Sequence, residues 1–381
     1  VDKLEVVLAN GELIQTGRMS KKELDHKKGQ TGLEADIYRH IDGIITDNLE
    51  AIKGTGQLRV SKNSSGYALA DVKRPDGSFD LTPLIVGSQG TLGIITEAIV
   101  KIEPYSPKTQ LIVAEFTDLS TAHDSITELL KLHPSALEMV DRNLLEFVSK
   151  QHANLIKNLV SDVLPAIVLL VEFDDISERA RKVHAKKAMK VLSKLSSRVT
   201  QSKDYEEQQK LWGIRYSSAT VVNHSEGGKS ALPIIEDGIV PHEEFEAFIT
   251  GVYELFAKYR LQVALWGHAG DANLHMLPLL DLAKMGDRQT VIKLMQEYYD
   301  LVLSLGGSIS AENNDGRLRA AFVEKQFGED MVRVFAEVKQ AFDPHGMMNP
   351  GVKLGTSVKD LAGILQNEYS VAHLSDYLPH A

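Results

Sequence analysis

The sequence predicts an α+β protein organised on antiparallel sheet, and three observations carry that prediction. Two stretches read as β-hairpins. One is Leu4-Glu-Val-Val-Leu8 and Glu12-Leu-Ile-Gln-Thr16 around Asn10-Gly11, a type I′ signal; the other joins the apolar runs 261–266 and 274–280 around Gly270-Asp271. Between residues 111 and 196, short apolar runs alternate with amphipathic helical periods. The third observation is balance. Of 381 residues 43% are apolar and 25% charged, enough for a substantial core in one large or two to three ordinary domains.

In chain order, residues 18–32 are charged and Gly-containing and are expected to be loop. A helix is expected over 33–53, where Ile37, Ile41, Ile45 and Ile52 share one face. Asn63-Ser-Ser-Gly-Tyr67 is a loop-forming cluster. Pro104 and Pro107 mark a boundary. Beyond it come strands at 111–116, 136–140 and 166–173 and helices at 121–132, 142–150 and 176–196. A helix over 206–219 contains Trp212-Gly-Ile-Arg215, and a strand is expected at 231–241. Helices at 243–259, 287–305 and 328–342 and a short strand at 308–312 complete the reading. The aromatic and apolar residues within 369–381 are expected to dock on the body or on a partner.

Charge and composition exclude several classes. Net charge is −10 with no basic block, so nucleic acid is not an expected partner. No apolar run is long enough to span a bilayer. Cysteine is absent, which removes disulfides, thiolate nucleophiles and cysteine-held clusters within the chain. A cytoplasmic location fits, and attachment to the inner face of a membrane stays open. The chain begins at Val1 inside an apparent strand, and it is expected to be part of a longer protein.

Two stretches carry chemistry. In Leu84-Ile-Val-Gly-Ser-Gln-Gly-Thr-Leu-Gly-Ile-Ile-Thr96, the glycines Gly87, Gly90 and Gly93 would let backbone N–H groups approach a phosphate closely. No Gly-Lys-Ser/Thr follows and strand residues continue past Gly93, so it is neither a P-loop nor a Rossmann turn. A purely structural turn is the alternative. In Trp266-Gly-His-Ala-Gly-Asp-Ala-Asn-Leu-His275, a hairpin can bring His268 and His275 opposite each other with Cβ atoms about 5 Å apart. Such a pair can share a divalent metal with one carboxylate, or be two ordinary hairpin histidines. Asp271 and Asn273 are candidates to orient the ligands, and Asp271 equally to cap its own turn.

Several motifs then agree in order: Asn63 to Tyr67, Gly87 to Thr96, Trp212-Gly-Ile-Arg215, Gly267 to His275, Ile309-Ser-Ala-Glu312 and Phe342-Asp-Pro with Asn349-Pro-Gly351. Together they resemble the FAD-linked oxidases of the D-lactate, glycolate and D-2-hydroxyglutarate dehydrogenase type, in the vanillyl-alcohol-oxidase superfamily. The resemblance runs from Val1 to about Lys353. It implies the second subdomain of a PCMH-type FAD-binding domain at 1–107, a cap domain of antiparallel sheet and flanking helices at 108–305, and a segment, 306–381, that returns to the flavin. The first flavin subdomain of such proteins precedes Val1, and a separate chain could supply it.

Residue by residue, the resemblance implies that Gly87, Ser88, Gly90, Thr91 and Gly93 run along the FAD pyrophosphate and ribityl chain. Ile95 would make main-chain contact toward the adenine. Asn63 and Gly66 would help bury the flavin, and Asn349 would lie near its ring or simply be a turn residue before proline. His268, His275 and Glu312 match metal ligands, with Zn, Mn and Fe all open. Arg215 resembles the arginine that holds a substrate carboxylate, although a surface helix salt bridge would also explain it. The expected substrate is a small 2-hydroxy acid, and the expected electron acceptor a quinone or an electron-transfer protein.

One position departs from the pattern. The residue after the metal-binding Glu in these dehydrogenases is a histidine that acts as base, and here it is Asn313. An amide accepts no proton at neutral pH. The metal alone, Asp315 or His224 would then have to replace it, or the substrate is not a 2-hydroxy acid. The alternative reading is a flavin- and metal-binding subunit of a larger assembly with impaired turnover.

Overall fold

The computed structural model describes residues 1–55, 58–222, 225–226, 229–231 and 233–365. His224 and residues 369–381, on which expectations rested, lie outside them.

The chain opens with a hairpin of β1 (Lys3–Val7) and β2 (Leu13–Gln15). Its loop is not the type I′ turn that Asn-Gly predicts. Only Gly11 has positive φ, at 86°, while Leu8 N–H bonds to Glu12 O and Gly11 N–H to Leu8 O. That is a three-residue loop closed by a glycine bulge. The stretch read as loop at 18–32 holds helix α1 (Lys21–Lys28), begun by a reciprocal capping box between Ser20 and Glu23. The long helix follows in two pieces, α2 (Leu33–Asp47) and α3 (Leu49–Thr55), broken at Asn48. The run before the glycines is a single turn, α4 (Thr82–Ile85). β3 (Ile94–Ile99) then pairs antiparallel with β1, giving a sheet ordered β2-β1-β3. Leu4, Val6 and Ile14 point from this sheet into a core shared with Ile37, Ile41 and Ile45 of α2. All six residues of β3 are exposed.

The second sheet is larger. β4 (Gln110–Phe116), α5 (Leu119–Leu130), β5 (Ala136–Asp141), α6 (Arg142–His152), β6 (Ile167–Phe173) and α7 (Glu178–Leu195) follow the predicted alternation. β7 (Arg198–Gln201), α8 (Tyr205–Tyr216) and α9 (Ala219–Val222) come next. β7 was not predicted; its four residues are too short to show a period. A minor sheet takes β8 (Ser225–Glu226) and β9 (Lys229–Ala231). α10 (Phe245–Lys258) leads to β10 (Leu265–His268) and β11 (Asn273–Met276), and β12 (Leu279–Leu280) joins the minor sheet. The large sheet is ordered β11-β10-β5-β6-β4-β7, antiparallel throughout.

Strict alternation divides its two faces. Ile112, Ala114, Leu137, Met139, Leu169, Val171, Leu265 and Leu274 pack beneath α5, α7 and α10. Leu111, Val113, Val140, Val168, Leu170 and Trp266 face α6 and α8. Burying each large aliphatic side chain stabilises by roughly 1.5–3 kcal/mol, so a one-residue slip of register would expose a whole face.

Of the strand predicted at 231–241 only Ala231 lies in one, at the end of β9, and neither 233–241 nor the predicted 308–312 is strand. Ile239 makes only isolated bridges to Asn273 and Ser308. α11 (Met285–Ser304) and α12 (Val323–Phe342), kinked at Gly328, frame this irregular stretch, and α13 (Leu361–Ile364) closes the described chain. α12 lies along α2, so the last third of the chain returns to the first sheet. No helix among the described residues is long and apolar enough to cross a membrane.

Candidate functional site

The site stands on the α6/α8 face at the β10–β11 end of the large sheet. Trp266 pairs with His275 and His268 with Asn273, so the two histidines are diagonal neighbours rather than directly opposed as the hairpin reading had them. The turn between them is a 3₁₀ turn, Ala269–Asp271, with Ala272 in the left-handed region at φ 55°. Gly267 is required just before it. Its φ is 145°, and a Cβ there would lie 2.8 Å from Asn273 O and 3.1 Å from Leu274 Cα.

This geometry sets the two imidazoles at right angles, with ring centroids 5.3 Å apart and their Nε2 atoms separated by 3.5 Å. Glu312, from the returning segment, places Oε1 at 3.2 Å from His268 Nε2 and 3.4 Å from His275 Nε2. All three donor atoms lie within 4.8 Å of one another. Metal–nitrogen and metal–oxygen bonds of about 2.0–2.2 Å in a tetrahedron put ligand atoms about 3.3–3.5 Å apart. The triangle already has the dimensions of one face of that tetrahedron.

The other nitrogen of each ring is held by a carboxylate. His268 Nδ1 lies 2.7 Å from Glu138 Oε1, and His275 Nδ1 lies 3.0 Å from Glu236 Oε2. Carboxylates in those positions fix the tautomer that leaves Nε2 free for a metal. Burial works against ionised Glu138, but its bonds with His268 and Arg215 hold the carboxyl below its ordinary value. The same balance, with His275 and Arg319 as partners, holds Glu236 down. The Glu138 hydrogen bond, opposed by burial, raises His268.

Around this centre the remaining candidates take definite positions. Arg215, in α8, donates from Nε to Glu138 Oε2 at 2.8 Å and from Nη1 to Ser218 at 3.1 Å. Its ion pair is thus half-buried and crosses to the sheet; it is not a surface helix bridge. Asn313 donates its backbone N–H to Asp237 at 2.8 Å and its side-chain amide to Glu236 at 3.3 Å. Asp315 is fully buried, accepting from Gly66 N–H at 2.9 Å and Lys353 at 3.1 Å, and is committed to that contact. Asp271 neither caps its turn nor orients a histidine. It receives Ser61 and Lys62, each at 2.7 Å, and Lys62 also stands 3.6 Å from Glu312. Asn273 is buried and donates to Gly238 O at 3.1 Å.

The glycine loop lies on the far side of Glu312. A cavity of about 580 Å³ is lined by Asn63, Gly66, Arg74, Gly87, Glu312 and Asn314, so the loop and the histidine centre share one wall. Several glycines there are explained by packing within the chain. A Cβ on Gly93 would meet Val6 Cγ1 at 2.5 Å, on Gly87 the Asn314 amide at 2.8 Å, and on Gly66 the Phe335 ring at 2.7 Å. Gly90 alone of the four has nothing closer than 4.0 Å. Ser88 and Thr91 are buried. The Thr91 hydroxyl donates to Ser88 O and lies 2.7 Å from the Tyr67 hydroxyl, so both residues brace the loop from behind. Ile95 is exposed on β3. Asn63 accepts from Ser308 at 2.7 Å, and the Asn349 amide donates to Gln89 O at 2.6 Å, clamping the loop to the chain that follows α12.

Sequence reasoning missed Glu138, Glu236, Asp237, Lys62 and Arg319. Asp237 accepts from Ser310 at 2.6 Å and from the backbone of Glu312 and Asn313, which fixes the loop that delivers the third donor. A signal for Glu138 existed: a lone carboxylate inside the apolar strand Ala136-Leu-Glu-Met-Val140 is costly to bury unless paired.

The family described as "FAD linked oxidases, C-terminal domain" matches residues 106–352. The glycolate oxidase subunit GlcD of Bacillus subtilis is 28% identical over 86% of this chain and 66% of its own length. The D-lactate dehydrogenase of Archaeoglobus fulgidus is 28% identical over 80% of this chain and 63% of its own. The D-2-hydroxyglutarate dehydrogenase of Pseudomonas putida is 26% identical over 95% of this chain and 36% of its own. The chain thus spans between about a third and two thirds of these relatives. Among solved structures, 4-ethylphenol oxidase from Gulosibacter chungangensis superposes with a TM-score of 0.60 at 14% identity, covering 93% of this chain and 66% of that one. A p-cresol methylhydroxylase does so at 0.56 and 15%, covering 94% and 65%. The fold is therefore shared with these two proteins, and the chain belongs to the FAD-linked oxidase family, whose C-terminal domain it carries.

Proposed function

We propose that this chain is the metal- and substrate-binding portion of an FAD-dependent oxidoreductase acting on a small 2-hydroxy acid of the glycolate, D-lactate or D-2-hydroxyglutarate kind. One observation carries the reading: His268, His275 and Glu312 form a donor triangle of tetrahedral dimensions, with each imidazole backed by its own carboxylate. The names of the relatives support the substrate class. Residues 1–107 would form the flavin side, 108–305 the cap, and 306–381 the returning segment.

When bound, FAD supplies the two-electron acceptor, and a divalent Zn, Mn or Fe ion supplies the Lewis acidity that lowers the pKa of the substrate hydroxyl. The chain's own residues do the rest. His268, His275 and Glu312 would hold the metal. Arg215 offers its remaining N–H donors to a carboxylate while Glu138 fixes its Nε. Gly90 allows close backbone approach by the cofactor, and Asn63, Gly66 and Asn349 shape the loop beside it. The electrons would go on to a quinone or an electron-transfer protein.

Asn313 favours a second reading, because its amide is occupied with Glu236 and accepts no proton. Under it the chain binds flavin and metal without efficient turnover. Metal content by mass spectrometry and the visible flavin spectrum, on this chain and on His268→Ala, test the proposal. About one metal per chain, lost in the variant, and flavin bleaching by a 2-hydroxy acid are expected. A metal-free wild type would sink the metal-assisted reading, and metal without bleaching would favour the second.

A further inference from the structure

At the sheet edge farthest from the histidines, a cavity of about 260 Å³ opens between the start of β4, the end of β7 and the first turns of α7 and α8. Five strand spacings separate β7 from β11, about 24 Å at about 4.8 Å each. Arg181 distinguishes the place. α7 buries Arg181, Ala185, Ala188 and Leu192 along one stripe, so a guanidinium occupies a position where packing alone calls for an aliphatic chain.

Arg181 is 5% exposed and lines the cavity. Among the described residues its guanidinium makes one hydrogen bond, from Nη1 to Asp175 O at 2.5 Å. The neighbouring carboxylates are engaged elsewhere: Asp175 with His184 at 2.9 Å, Glu178 with Lys182 at 2.6 Å, and Asp204 with the Glu207 N–H at 2.8 Å as the cap of α8. Arg181 forms no close ion pair among the described residues, although Glu178 and Asp204 also line the cavity and Glu178 feels the Arg181 charge at longer range. Lys108 and Lys203 add exposed positive charge at the rim, and Thr109 and Ser202 line the wall. A charge taken out of water without a close ion-pair partner is costly, and a guanidinium fork matches an oxyanion bidentately.

We propose that this cavity is an anion site that takes a phosphate or carboxylate group of a small metabolite, with Arg181 as its fork and Lys108 and Lys203 as its rim. It shares no residue with the histidine centre and does not depend on the flavin reading.

The test is thermal unfolding of the full chain at constant ionic strength, titrated with inorganic phosphate in one arm and succinate in the other, against matched chloride. A saturable rise in Tm is expected in at least one arm, and the stronger arm tells phosphate from carboxylate. Arg181→Met is expected to weaken that affinity at least about tenfold, the range of a lost charge-assisted hydrogen bond. Should that variant fail to fold, the exposed pair Lys108→Ala/Lys203→Ala decides, with a loss of about threefold or more expected. No saturable rise above chloride, or saturation unchanged in the deciding variant, overturns the proposal.

Discussion

Glu138 holds the ring of His268 from a neighbouring strand: its Oε1 lies 2.7 Å from Nδ1, although the two residues stand 130 positions apart in sequence. The contact exists because β5 and β10 are adjacent, with Met139 opposite Gly267. Glu138→Gln keeps the shape and removes the charge. It is expected to weaken metal binding about 10–100-fold, the usual cost of losing such a partner. Competition with a coloured chelator measures this, and an unchanged affinity would mean that the carboxylate serves only Arg215.

Gly93 has no room for a side chain because Val6 Cγ1 would sit 2.5 Å from its Cβ. Gly93→Ala is expected to cost about 1–3 kcal/mol, the range for overpacking a filled interior. Val6→Ala removes the clashing methyl, so the double variant should lose less than the sum of the two single losses. Urea denaturation of the four proteins checks this; strict additivity would place the strain elsewhere.

Asp141 caps α6 from inside the protein, accepting from Leu144 N–H at 2.8 Å and Tyr253 at 2.8 Å. Burial nevertheless pushes its carboxyl up to about 7. Its unfolded value is near about 3.9. The neutral group therefore contributes stability that is complete below about pH 4 and is lost as pH rises through about 7. Asp141→Asn is neutral throughout. The stability of the natural chain relative to this variant should fall between pH 4 and pH 8, followed through urea midpoints at each pH. A difference that grew with pH would show an ionised cap.

Asn313 occupies the position after Glu312, where the resemblance places a base. Asn313→His restores a proton acceptor there. In a flavin-loaded preparation it is expected to speed reduction by a 2-hydroxy acid by roughly 10²-fold or more, the scale of general-base catalysis. Stopped-flow absorbance reads the rate. A slower variant would show that the Asn313 amide is needed on Glu236.

The legible parts of the sequence were those written in local periods. Strands β4, β5 and β6 and helices α5, α6, α7 and α10 follow from apolar spacing, and the histidine hairpin from its turn residues. α1 was passed over because its charged sequence shows no apolar face; Leu24 is its single buried residue. Its real signal was the Ser20/Glu23 box. Residues 231–241 look like strand because they are apolar, yet Ile234, Ile235, Ile239 and Val240 are buried in irregular chain that satisfies its backbone through Ser308 and Ala272. At the site, the three donor residues were readable as motifs. Glu138, Glu236 and Asp237 were not, since what places them is strand adjacency and the return of the chain, and neither leaves a pattern in local sequence.

β3 carries a consequence for handling the protein. It is the outer strand of its sheet among the described residues, and Ile94, Ile95 and Ile99 face water along it. An apolar outer strand with an unshielded backbone edge is a template for pairing with another molecule. In concentrated solution β3 is thus the strand at which molecules of this chain are expected to pair. Lysine or proline placed along β3 would act on the colloid and leave the histidine centre untouched.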